Sequence, residues 1–170
     1  MKQVAKMPAN AQTSPNLRPA RGYCGIGIYN VKNAVNVGGL WRHAQAFGAS
    51  FVFTVGKRYQ KEASDTTKAY RHLPMWQYKD ADDFLTHRPR DCRLIGVEID
   101  DCSTPLEAFV HPERAIYLLG AEDHGIPSWL LEKCQAVVEI PTRFCLNVAS
   151  TGAVVLYDRT VKATSHNYRR

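Results

Sequence analysis

The stretch YNVKNAVNVGGLWRHAQAFGAS, residues 29–50, sets asparagines, a glycine pair and an arginine around one short amphipathic segment. Val37, Leu40, Trp41, Ala44 and Phe47 recur at the i, i+3, i+4, i+7 spacing of a buried stripe, which predicts a helix over 37–47 with that side in the core. Arg42 lies almost opposite and shares its face with Gly38 one turn earlier. Asn36 stands where an N-cap is expected. Bare glycines at a helix start would leave backbone N–H groups open to an anion, and an arginine one turn along would add a charged fork for the same phosphate. Two plainer readings stand beside this one: a solvated arginine on a polar face, and Asn36-Val37-Gly38-Gly39 as an ordinary capping sequence.

Outward from this helix, short β-rich runs alternate with helical ones. CGIGIYN (24–30), SFVFTVG (50–56), PMWQYK (74–79), RLIGVEI (93–99), AIYLLG (115–120) and AVVEIP (136–141) read as strands. Helical patterns fall over 64–71, over 80–87, near PLEAF, at PSWLLEKC (127–134) and over a long segment from about Leu146 to Ala163. This alternation predicts an α/β fold with a mostly parallel sheet flanked by helices. Residues 1–21 mix Ala, Asn, Pro, Ser and Arg without periodicity and read as a flexible basic arm. The folded domain is then expected over 22–163, with a short basic tail at 164–170.

The first strand is not followed by G-x-G-x-x-G with a later acid, and no G-x-x-x-x-G-K-[ST] occurs, so dinucleotide and ATP chemistry fall away. At 170 residues and 45% hydrophobic composition the chain fits one domain with a real core. It has no apolar run of about 18 or more residues, and its first 22 residues lack the continuous apolar stretch of a secretory signal, so a cytoplasmic location without membrane contact is expected. The five cysteines form neither a C-x-x-C pair nor a Cys/His cluster, which predicts no disulfide framework and no metal site. A net charge of +6, much of it at the two ends, points to a polyanionic partner.

Two later segments carry the functional reading further. AIYLLGAEDHGIP (115–127) is a strand entering a glycine turn, with Glu122 two residues past Gly120. VVEIPTRFCLNVASTGAVVLYD (137–158) is a strand, a proline, a loop and a helix beginning near Leu146-Asn147. In an open α/β sheet both turns lie at the carboxyl ends of strands, where ligands collect. In order, N-x-x-N-V-G-G-L-x-R-x-A-x-A-F-G, L-L-G-x-E-x-x-G-I-P and I-P-x-x-x-x-L-N-V-A-x-x-G-A resemble the three motifs of the SpoU/TrmH-type RNA ribose methyltransferases of the SPOUT superfamily, over about residues 23–162.

The resemblance implies a C-terminal deep trefoil knot, which general rules of topology would never suggest. It also implies S-adenosylmethionine as cofactor, held largely by backbone groups at Leu119, Gly120, Ile140 and Leu146. Core packing is the plainer role for the side chains of Leu119, Ile140 and Leu146. Asn36, Arg42, Glu122 and Asn147 match the polar residues that the family places around the reacting ribose, with Arg42 the key one. A guanidinium stays protonated and makes a poor base, so positioning the hydroxyl and its phosphate, and stabilising the developing alkoxide, suits Arg42 better. Asn36 and Asn147 would order Arg42 and the loops, while Glu122 would tether its loop or offset positive charge. Plainer roles are a cap for Asn36, a surface acid for Glu122 and a cap of the last helix for Asn147.

Where many relatives read Ser-Leu-Asn, this chain has Cys145-Leu146-Asn147, a weaker hydrogen-bonding group. Ser150 or Thr151 are candidates to take over. Ala149, Ser150, Gly152 and Ala153 fit either the family's homodimer, in which one subunit's arginine works near the other's cofactor, or tight packing within the knot. The implied substrate is RNA, since only RNA offers a 2′-hydroxyl, with tRNA the first choice and ribosomal RNA the second. Short basic arms add affinity through phosphates without reading sequence. The alternative is a catalytically inactive SPOUT-fold RNA-binding or assembly factor, with Cys145 as its clue.

Overall fold

β1 (Tyr23–Tyr29) sorts its residues onto two faces. Cys24, Ile26 and Ile28 point to one side and are buried there, each isoleucine contributing about 1.5–3 kcal/mol by leaving water. On the other side Gly25 and Gly27 leave room that the rings of Phe51 and Phe53 occupy; a Cβ at either glycine would run into those rings. The computed structural model describes residues 22–56 and 73–167, the last four of these by backbone alone.

Around β1 the chain adds α1 (Ala34–Ala46), β2 (Phe51–Val55), β3 (Met75–Tyr78), α2 (Ala81–His87), β4 (Arg93–Val97), β5 (Thr104–Pro105), a 3-10 turn at Leu106–Ala108, β6 (Arg114–Leu119), α3 (Ser128–Leu131), β7 (Ala136–Glu139) and α4 (Val148–Asn167). The seven strands form one sheet in the order β3-β2-β1-β6-β4-β7-β5, with every pairing parallel. α1 and α4 cover the face built on Ile26, Ile95, Tyr117 and Val138; α2 and α3 cover the opposite face, where Phe51, Phe53, Phe84 and Leu130 pack. The parallel, helix-flanked sheet expected from the sequence is present.

Several boundaries differ from the sequence reading, each for a local reason. α1 begins three residues before 37, because Asn33 and not Asn36 is its N-cap: the Asn33 side chain accepts from the Val35 N–H at 2.9 Å. Gly38 and Gly39 consequently lie inside the helix, where their N–H groups are spent on helical hydrogen bonds, and the expected anion cradle at a glycine-opened helix start does not form. β4 ends at Val97, two residues before Ile99, although the Glu98 N–H still donates to Val138 O of β7 at 3.0 Å. The two-residue β5 carries too little pattern to be read from sequence. α4 continues past Ala163 to Asn167, with no glycine or proline in that segment to end it. The helix expected over 64–71 and the arm at 1–21 lie outside the described residues.

α4 packs along α1 at close range. A Cβ on Gly152 would strike Leu40, and one on Gly39 would stand 3.1 Å from the Ala149 Cβ. Gly152 and Ala149 therefore serve a contact within the chain, so these small residues are not by themselves an argument for a dimer. Further along, α4 is clamped to the segment between the 3-10 turn and β6. Arg159 Nη1 donates to Pro112 O at 2.5 Å and to the Tyr117 hydroxyl at 3.2 Å, and its Nη2 donates to Glu113 O at 2.7 Å. Lys162 Nζ reaches Leu106 O at 2.6 Å and Asp158 at 2.7 Å. His111, buried between them, contacts Asp158 at 2.8 Å and the Tyr117 hydroxyl at 2.6 Å.

Candidate active site

The strand order reverses between β1 and β6: β2 and β3 build outward on one side, β4, β7 and β5 on the other. In a parallel sheet the crevice outside the carboxyl ends of such a pair is where ligands bind. Three segments meet there: the residues after β1 that open α1, the turn after β6, and the loop from β7 into α4.

Asn147 joins them. Its Nδ2 donates to Asn36 Oδ1 at 3.0 Å and to Glu122 Oε1 at 2.8 Å, contacts that span 111 and 25 residues of sequence. Its Oδ1 accepts from the N–H groups of Ala149 at 3.0 Å and Ser150 at 3.4 Å, closing the first turn of α4. The Asn147 amide thus caps α4 with its oxygen and links Asn36 to Glu122 with its nitrogen. Asn36 is buried on α1 beside Val37 and Leu40. A polar side chain in that position is tolerable because Asn147 satisfies it.

Beside this network lies a cleft of about 170 Å³ whose wall includes Leu119, Gly120, Ile140 and Leu146, all four positions expected to hold the cofactor. Glu98, Glu122 and Glu139 line the same cleft, and no lysine, arginine or histidine does so among the described residues. Cys145 and Thr151 also face it, whereas Ser150 does not line it. A neighbouring cavity of about 530 Å³ lies over the start of α1, lined by Lys32, Asn33, Asn36, Glu122 and Asp123 among others. Ala121, Glu122 and Val148 belong to both cavities, so the Glu122 carboxylate stands on the ridge between them.

Arg42 is placed differently. It is exposed on α1, lines neither cavity, and has no hydrogen bond or ion pair among the described residues. Its neighbour Gly38 has nothing within 4 Å of a built Cβ, and Val35 is 76% exposed, so this side of α1 is open among the described residues. Three of the four polar positions are therefore brought together within one chain, and the arginine is not. Sequence reading missed Glu98, Glu139 and Thr142 as cavity residues. The available signal was an acid directly after the strand RLIGV, at the carboxyl end of β4.

Over residues 24–157 the chain matches the SpoU rRNA Methylase family. It is 29% identical over 141 residues to the tRNA (guanosine(18)-2'-O)-methyltransferase TARBP1 of Mus musculus, a match that takes in 76% of this chain and 9% of that protein. The chain thus spans about a tenth of that relative's length. Among solved structures, the AdoMet-bound rRNA methyltransferase from Sinorhizobium meliloti superposes with a TM-score of 0.72 at 22% identity, over 83% of this chain and 57% of that one. The TrmH/SpoU tRNA modifying enzyme of A. aeolicus gives a TM-score of 0.74 at 17% identity, over 91% and 82%. At these identities the two structures establish a shared fold. With the family match covering most of its length, the chain belongs to the SpoU rRNA methylase family.

Proposed function

We propose that this chain is an S-adenosylmethionine-dependent RNA methyltransferase that acts on a ribose 2′-hydroxyl, with tRNA the first substrate to test and ribosomal RNA the second. The observation that carries the reading is the Asn147 amide bonded to both Asn36 and Glu122 at the border of two cavities. The mouse relative is named as a tRNA 2′-O-methyltransferase, which favours tRNA.

The first cleft suits the cofactor chemically. Leu119, Ile140 and Leu146 offer apolar surface to an adenine, and three carboxylates without a basic residue favour a ligand that carries a sulfonium and an ammonium. Bound there, S-adenosylmethionine supplies an already electrophilic methyl group. The larger cavity, lined in part by Lys32 and Asn33, is the place for the nucleotide. Glu122 and Asn147 fix the ridge between the two, so alignment of the sugar oxygen against the donor supplies much of the rate. Arg42 completes the site only from a second subunit: lying outside both cavities of its own chain, it would reach the ribose and phosphate of the partner's site and stabilise the developing alkoxide. The proposed homodimer is supported by Val154, Tyr157 and Val161, exposed along one side of α4, and by the open α1 surface around Gly38. We also propose that α4 reaches this position by the family's threaded path, supported by its course from β7 back to α1 and by its hydrogen bonds to segment 106–113.

Incubation of the purified chain with labelled S-adenosylmethionine and RNA tests the reading, followed by digestion to nucleosides. It predicts a methylated sugar on an unmodified base. Cys145 facing the cleft in place of serine favours one other reading, a SPOUT-fold RNA-binding or assembly factor without activity. Tight RNA binding with no methylation of any cellular RNA would select that second reading.

A further inference from the structure

The turn after β6 is shaped by a side chain that belongs to none of the three motifs. Glu98 follows β4, and its own N–H is anchored to Val138 O on β7 at 3.0 Å. From there its carboxylate reaches across: Oε2 accepts from the Ile126 N–H at 2.9 Å and Oε1 from the Ile99 N–H at 3.2 Å. The turn closes tightly over this carboxylate, with the Gly125 N–H donating to Ala121 O at 2.8 Å. A Cβ on Gly120 would lie 2.7 Å from Glu98 Oε2, and one on Gly125 would lie 2.6 Å from it, while Gly125 takes φ +62°. At Gly125 the carboxylate occupies the space a side chain would take and the positive φ adds its own requirement, while at Gly120 a Cβ would meet the Gly125 backbone at 2.6 Å as well as the carboxylate.

We propose that Glu98 is a positioning residue for the methyl donor: by holding the 120–126 turn against β4 and β7, it fixes the Gly120 backbone that forms the wall of the first cleft. The inference rests on the methyltransferase reading of that cleft. The same turn carries Glu122, so one carboxylate sets both the cofactor wall and one end of the Asn147 network. Glu98 also lines the cleft, so its loss opens the cavity floor as well as freeing the turn.

The test is calorimetric titration of the full chain with S-adenosylmethionine, alongside steady-state kinetics, for wild type, Glu98→Gln, Glu98→Asp and Glu98→Ala. Glu98→Ala is expected to weaken cofactor binding about tenfold and to raise KM for S-adenosylmethionine by about the same factor, leaving KM for RNA within about twofold. Glu98→Gln keeps an oxygen that can accept from the Ile126 N–H and is expected to stay within about threefold of wild type. Glu98→Asp, shorter by one methylene, should fall between them. Unchanged binding in Glu98→Ala, or a Gln variant as damaged as the Ala variant, overturns the inference. Should Glu98→Ala not fold, the order of the other two decides: Gln tighter than Asp supports the assignment and the reverse order overturns it. A wild-type chain that binds no cofactor overturns the methyltransferase reading and this inference with it. Wild-type binding alongside an indifferent Glu98→Ala overturns this inference alone.

Discussion

α4 carries a polar network at each end, and the two are built on opposite plans. At its C-terminal half, half-buried Asp158 and Lys162 flank buried Arg159, Tyr117 and the His111 ring, and Arg159 and Lys162 also donate to main-chain carbonyls of segment 106–113. At its N-terminus, Asn147 holds Asn36 and Glu122 where Asn147 and Glu122 are themselves exposed. A buried network is expensive unless fully satisfied, so the first acts as a clamp that pins the helix to the sheet. The second network contributes less to stability, because Asn147 and Glu122 would be solvated anyway and only Asn36 is buried. Its order therefore has another use, and the two cavities that meet at Glu122 supply one.

Breaking the clamp should have the largest effect, and on stability. Arg159→Ala leaves Pro112 O, Glu113 O and the Tyr117 hydroxyl without this partner. A loss of about 3 kcal/mol is expected, seen as a fall in Tm of roughly 6–12 °C by calorimetry. The fraction that remains folded should bind S-adenosylmethionine with unchanged affinity. Breaking the other network should do the reverse. Asn147→Asp keeps an oxygen to cap α4 but loses the donor to Asn36 and Glu122 and sets a second carboxylate beside Glu122. Methyl transfer is expected to drop on the order of 100-fold, with a smaller stability loss of about 1–2 kcal/mol by chemical denaturation, from the buried Asn36 oxygen left without its donor.

The smallest effect sharpens the contrast through pH. Burial holds the His111 pKa below its ordinary value of 6.5, against the opposing pull of Asp158, with Arg159 and Lys162 adding to the depression. The unfolded chain then binds the proton more readily than the folded one. The clamp's contribution is present above pH 6.5 and is lost as pH falls from there through the folded-state value. Tm measured from pH 7.5 to 5 should decline by about 1–3 °C more in wild type than in His111→Gln.

The contrast between the two ends of α4 also marks what the sequence could show. Val37, Leu40, Trp41 and Ala44 are buried together on α1, as their spacing required, because helical periodicity is a local property. The start of that helix was misread because two asparagines stand three residues apart and either can cap. The path of the chain leaving β1 puts Asn33 at the terminus and turns Asn36 inward. Asn36, Glu122 and Asn147 were legible as a group through their motifs, although only the packed fold shows Asn147 bonding both partners. Glu98 was legible only as an acid directly after the strand RLIGV; that the parallel pairing of β4 with β6 brings it against Gly120 is not a local property of the sequence. The His111–Asp158 contact spans 47 residues and depends on the return of α4, which is equally invisible to local patterns.

The most direct test of the account is single-turnover methyl transfer to tRNA by wild type and Arg42→Ala, with S-adenosylmethionine affinity measured in parallel. A sugar-methylated nucleoside is predicted with wild type, and transfer at least about 100-fold slower in Arg42→Ala at unchanged cofactor affinity. Methyl appearing on a base, or Arg42→Ala transferring as fast as wild type, would contradict it.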